Sequence, residues 1–168
     1  VIWWGPELVL LYNDAWVPIL GPAKHPALGR PGRQVWPEMW HIIGHQLTGV
    51  RDTGTATWSD DELLPAYRHG YLEEAYFTYS FSPVTGRDGT VEGVFTAVTE
   101  TTERVLGERR LRILGELADI SAVTAPTVDE ACAAACEVLA RGRADVPFGS
   151  VHLRDGDGAV RRAAYFGT

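Results

Sequence analysis

The sequence predicts an α+β domain, a five-stranded antiparallel sheet with helices over one face, followed by a long helix and the opening of a second unit. Three observations carry this reading. Two short β-prone runs open the chain, a breaker-rich helical middle follows, and a meander of three β-prone runs closes the first part. From Val94 the apolar run VFTAVT then passes through Glu100-Thr101-Thr102-Glu103 into the charged helical stretch ERVLGERRLRILGELADISAVTA, so a strand feeds directly into an amphipathic helix.

In chain order, Val1-Ile2-Trp3-Trp4 and Leu8-Val9-Leu10-Leu11-Tyr12 read as strands joined by a tight turn at Gly5-Pro6. The abrupt β-prone start at residue 1 is read as a cut or disordered beginning. Asn13-Asp14 is expected to cap a short helix over residues 15–20 that Gly21-Pro22 ends. Between Ala23 and Pro37 the breakers are too dense for one regular element, and Trp36 anchors that loop to the core. From Glu38 to Asp52, Trp40, Ile43, Leu47 and Val50 recur at helical spacing, and Thr53-Gly54 stops the helix. Thr55 to Pro65 reads as a strand, Tyr67-Arg68-His69-Gly70 as a turn, and Leu72 to Val84 as one long strand with Phe77, Tyr79 and Phe81 facing inward. Asp88-Gly89 supplies hairpin chemistry before the last strand, Val91 to Thr99.

Composition narrows the function classes. The 168 residues are 45% hydrophobic and 22% charged, enough apolar content for a sizeable core and too much for a disordered chain. That length exceeds one small domain and falls short of two, so one whole domain plus a piece is expected. A net charge of −7 argues against a nucleic-acid surface, because phosphate binding needs clustered Lys and Arg. The Arg109, Arg110, Arg112 cluster is interleaved with Glu108 and Glu116 and reads as a solvated helix face. With no apolar run near the roughly 20 residues that span a bilayer, and no leader pattern, a cytoplasmic protein without a membrane partner is expected. Cys132 and Cys136, four apart in an Ala-rich helical segment, have poor disulfide geometry and suit a reducing compartment and a packing role.

Four motifs in order carry a resemblance to the PAS domain, a sensing module of bacterial sensor kinases. They are Asn13 in YNDA, the run LGRPGRQVWPE, the hairpin TYSFSPVTGRDGTVEGVF, and the exit TETTER, where Glu100 and Thr101 stand in place of the family's usual Asp and apolar residue. The resemblance implies a PAS domain over residues 1–102 and a signal exit at Glu100, Thr101 and Thr102, with Thr102 as helix N-cap and Glu103 as first-turn acid. Residues 103–125 follow as a signalling linker helix. In it Leu106, Arg110, Ile113, Leu117, Ile120 and Thr124 form an imperfect heptad seam, so a parallel homodimer through this helix is expected, with an ordinary helix packed on its own domain as the alternative. Pro126 breaks the seam, and Thr127 with Glu130 forms a capping box. Residues 126–168 resemble the opening helix and first hairpin of a GAF domain, truncated before its remaining strands.

A small-ligand pocket is the favoured site. Tyr12, Trp36, Trp40, Ile43, Leu47, Phe77, Tyr79, Phe81, Val94, Thr96 and Val98 are expected to converge between the sheet's inner face and the central helix. Interlocking of the same side chains into a filled core is the alternative. No catalytic or metal site is expected. His41 and His45 share a helix but flank Ile43 and lack a third ligand, and Ser59-Asp60-Asp61-Glu62 reads as a solvated edge without a base. The cofactor is unknown. Haem is disfavoured because the position matching the family's iron-ligating His is closest to Ile43, and covalent flavin chemistry because residues 1–104 hold no Cys. The resemblance implies a relay of a ligand or partner signal to a downstream domain in cis, most often a histidine kinase with a phosphatase or cyclase as rivals, and no catalysis in these residues. A freestanding small-ligand or haem protein is the alternative.

Overall fold

The structure, a computed structural model, describes residues 1–122 and 127–167. The chain divides into two compact units, Val1–Val105 and Leu106–Thr168. The seam position Thr124 and the helix-breaking Pro126 lie outside the described residues.

The first unit is the expected mixed α+β fold. Strands β1 (Ile2–Trp4) and β2 (Val9–Leu11) are followed by a 3-10 turn at Asp14–Trp16 and by helices α1 (Val17–Leu20), α2 (Gly32–Val35) and α3 (Trp40–Thr53). Then come β3 (Thr57–Leu63), the small pair β4 (Ala66–Tyr67) and β5 (Leu72–Glu73), and the long hairpin β6 (Tyr76–Thr85) and β7 (Val91–Glu100). Five strands form one antiparallel sheet in the order β2-β1-β7-β6-β3. The first strand therefore lies against the last, where Trp3 stands opposite both Leu10 and Val94.

All three of those side chains are buried, and the Trp3 indole N–H donates to Thr96 Oγ1 at 2.8 Å, tying β1 to β7 inside the core. The period of two along β6 places Phe77, Tyr79 and Phe81 inward, each 3% exposed, in one cluster with Ile43, Leu47 and Val50 of α3. Burial of each such side chain contributes about 1.5–3 kcal/mol. Gly32 opens α2 where no larger residue fits: a Cβ there would stand 2.5 Å from the Trp3 ring and 2.8 Å from that of Trp40. Trp36 is buried as expected, and Gly54 ends α3 in the left-handed conformation.

Four local expectations are corrected. Asn13 makes no side-chain cap bond; its carbonyl instead accepts the Trp16 N–H at 2.9 Å, which starts a 3-10 turn rather than an α-helix. The turn at Tyr67–Gly70 is the bend of the β4–β5 hairpin, and the strand expected from Leu72 to Val84 is broken at Glu74–Ala75. At the break Leu72–Glu73 pair with β4 instead of continuing β6, Arg68 holds Glu73, and the Ala75 carbonyl accepts the Leu64 N–H. Thr102 is the first residue of helix α4 (Thr102–Ala122) rather than its cap; the Thr101 carbonyl accepts the Val105 N–H.

In the second unit, α5 (Val128–Arg141) precedes the antiparallel pair β8 (Gly149–Arg154) and β9 (Val160–Phe166). Thr127 caps α5 as expected, its Oγ1 accepting the Glu130 N–H at 3.2 Å and donating to the Glu130 carboxylate at 2.8 Å. The fourth correction concerns the basic cluster. Arg109 and Arg110 are not simply solvated, since both hold Asp145 at 2.6 and 3.0 Å. Ile113 is 8% exposed and packs at Gly142, so this seam position is filled from its own unit, whereas Leu111 and Leu114 on α4 are 69% and 59% exposed. No helix among the described residues is long and apolar enough to cross a membrane.

Candidate functional site

Arg68 sits on the β4–β5 hairpin and is 8% exposed, which for a guanidinium requires full pairing. It grips Glu100, the last residue of β7, through two contacts: Nη1 donates to Oε2 at 2.7 Å and Nη2 to Oε1 at 2.9 Å. On its other side Nε and Nη2 donate to Glu73 Oε2 at 3.3 and 3.0 Å. Glu73 Oε1 in turn lies 2.7 Å from His69 Nδ1. Planar bidentate pairing is what Arg supplies and Lys does not.

The same strand end is fastened to the helix that follows. Thr102 Oγ1 donates to Glu100 Oε1 at 2.9 Å and accepts the Tyr76 N–H at 2.9 Å, while the Thr101 N–H donates to the Tyr76 carbonyl at 2.8 Å. Beneath Arg68, Gly21 closes α1 at φ +66°, and a Cβ there would meet the Arg68 Cβ at 2.7 Å. The Arg68 guanidinium holds the Glu100 carboxyl below the usual range against its burial. For Glu73, burial pushes up, but hydrogen bonds from His69 and Arg68 outweigh it and leave that carboxyl lowered too. Beside this clamp lies an open groove of about 1250 Å³, bordered by Pro18, Pro22, His25, His69 and the exit residues 99–104.

Glu100 and Thr102 of the predicted strand-to-helix junction are thus part of a clamp, whereas its other half, Arg68, has no signature in the local sequence. Arg68 stands between Tyr67 and His69 in a predicted turn, where a charged residue reads as solvated. The one available signal was that Glu100, at an apolar strand's end, needs a cation.

Of the expected pocket residues, Trp36, Ile43, Phe77, Tyr79, Phe81, Thr96 and Val98 do converge, joined by Trp3, Trp16 and Met39, around a cavity of about 40 Å³. Tyr12, Trp40, Leu47 and Val94 do not border it. Tyr12 instead turns to the loop, its hydroxyl accepting the Ala27 N–H at 2.8 Å and lying 3.2 Å from His25 Nδ1. A space of 40 Å³ is far below the roughly 300–1,000 Å³ of small-molecule pockets.

His41 and His45 are exposed, and His45 Nδ1 faces the His41 carbonyl at 3.2 Å. Among the described residues no group of three or more His, Cys, Asp or Glu side chains stands together to hold a metal. The acidic run on β3 is more structured than a solvated edge. Asp61 adopts φ +47° at a bulge and pairs with Arg104, which lowers its carboxyl, and Glu62 accepts the Tyr79 hydroxyl at 2.5 Å. Burial first, then the Glu62 carboxylate, pushes the Tyr79 phenol up to about 12.

A five-stranded antiparallel sheet with short helices and α3 over one face, its last strand passing through a clamped end into a helix, defines a small α+β domain. Residues 5–106 match the sequence profile of the PAS fold, well over half of the chain, and the chain belongs to that family. A solved structure described as a sensory box sensor histidine kinase from Vibrio cholerae is similar at a TM-score of 0.43 and 16% identity, over 59% of this chain and 74% of that one.

Proposed function

We propose that this chain is the sensory and coupling part of a cytoplasmic signal-transduction protein, relaying a ligand or partner signal through β7 and α4 to a downstream output such as a histidine kinase. The observation that carries the reading is the Arg68–Glu100 clamp. One buried guanidinium ties the β4–β5 hairpin to the last residue of the strand that runs into α4. A two-state shift of that hairpin would then move the helix start. Catalysis belongs, in this reading, to the output domain, and the free thiols of Cys132 and Cys136 suit a reducing compartment.

Residues 126–168 are read as the start of a GAF domain, supported by the capped α5 followed by the β8–β9 hairpin. The chain is further proposed to pair with a second copy through α4. Because Ile113 is taken up within its own unit, Leu111 and Leu114 are the residues this contact would use. Arg68→Met in the intact signalling protein tests the relay. The expected result is an output locked in one state and unresponsive to stimulus; an output still fully switchable would refute it.

A further inference from the structure

A second groove is lined by two cations, Lys24 and Arg30, and one carboxylate, Glu38. It has a volume of about 340 Å³ and runs between the loop after α1 and the β4–β5 hairpin. At its base Lys24, with a side chain 9% exposed, stands 3.7 Å from the centre of the Trp36 ring and pairs with Glu38. Burial lowers the Lys24 ammonium, against the hydrogen bond and charge of Glu38, which raise it. Glu38 Oε1, the carboxylate oxygen facing Lys24, is already shared, since it also accepts the Tyr67 N–H at 2.9 Å.

Two further donors border the groove. Arg30 and Gln34 are exposed, and their side chains have no hydrogen-bond or ion-pair partner among the described residues. Donors are thus in excess, and the lining cations outnumber the single carboxylate in a chain whose net charge is −7. The opposite wall is apolar, with Tyr67 and Leu72 45% and 60% exposed. An acceptor that brings its own negative charge and a small apolar body matches both walls.

We propose that this groove binds a small organic monocarboxylate, its carboxylate held by Arg30, Gln34 and Lys24 and its apolar body laid against Tyr67 and Leu72. Such a ligand competes with Glu38 for Lys24. Glu38 fixes the hairpin at Tyr67, one residue before Arg68, so occupancy reaches the clamp through a single peptide link. Binding itself does not depend on the relay reading.

Titration of the ¹⁵N-labelled chain with benzoate, followed by amide shifts, tests the site. The expected result is saturable change confined to residues 24, 30, 34, 67 and 72 and their neighbours, with a Kd of about 1 mM or tighter. Arg30→Glu, an exposed substitution that leaves the core intact, should weaken it at least tenfold, on the order of a lost charge-assisted contact. No saturable change up to roughly 50 mM, change centred on the core cavity, or undiminished binding by Arg30→Glu would overturn the site. Inorganic phosphate binding as tightly as benzoate would overturn the assignment to an organic carboxylate.

Discussion

Arg68 and Glu100 are 32 residues apart in sequence and meet through two hydrogen bonds of 2.7 and 2.9 Å, the only route by which the β4–β5 hairpin grips the end of β7 with a buried charge among the described residues. Removing the cation leaves two carboxylates, Glu100 and Glu73, without their partner. Arg68→Met should therefore destabilise the chain by about 2–4 kcal/mol, below the upper range for a fully buried pair because 31% of the Glu100 side chain meets solvent. Arg68→Lys restores the charge but not the fork and should recover less than half of the loss. Urea denaturation of the two variants checks both values.

Acid should act through the same pair. Glu100 is lowered by Arg68 in the folded state, so its contribution is complete above the ordinary Glu value of 4.5 and is lost as pH falls through the lowered value. Thermal stability is expected to drop as pH goes from about 5 to 3. Glu100→Gln should start less stable at neutral pH and show a flatter decline over that window.

At the alkaline end the sign reverses. Tyr79 is raised from 10.0 to about 12, so the folded state holds its proton longer than the unfolded chain does. The associated stability is present below pH 10 and lost between there and about 12. Absorbance titration at the phenolate band should contain a late phase near pH 12 that Tyr79→Phe removes.

Gly21 seats the clamp. Its φ of +66° is strained for any larger residue, and an added Cβ would meet Arg68 at 2.7 Å. Gly21→Ala should cost about 1–3 kcal/mol, and calorimetry of that variant checks it.

Pairing through α4 predicts a concentration-dependent dimer. Leu111→Glu with Leu114→Glu should yield a monomer by light scattering with little change in melting of the individual chain, since both side chains are exposed. A wild-type monomer at high concentration would dismiss the pairing.

Most of the sheet was legible from residue patterns, because period-two burial along β6 and the Asp88-Gly89 turn are local signals. The passage from strand to helix at Glu100–Thr102 was legible as well, from an apolar run that continues into a charged helical stretch. What stayed hidden depends on long-range pairing. Arg68 lies in a short segment without regular periodicity, residues 66–71, and only the fold brings it to Glu100 and Glu73. The break before β6 lies beside that same ion pair, a contact between residues of the hairpin that local periodicity does not display. Likewise the role of Ile113 turns on a small residue, Gly142, that helix periodicity does not register. Convergence of the aromatic side chains was foreseen, but how little room they leave depends on how Trp3, Trp16 and Met39 complete the packing.

Amide hydrogen exchange in Arg68→Met compared with the parent chain bears most directly on the coupling of hairpin, strand end and helix start. Protection should fall together at the hairpin and at the Tyr76, Thr101 and Val105 amides, which are bonded to or within the exit, while the paired amides at the centre of β6 and β7 keep theirs. Loss restricted to the hairpin, with the exit amides as protected as before, would contradict the claim that one buried guanidinium joins them.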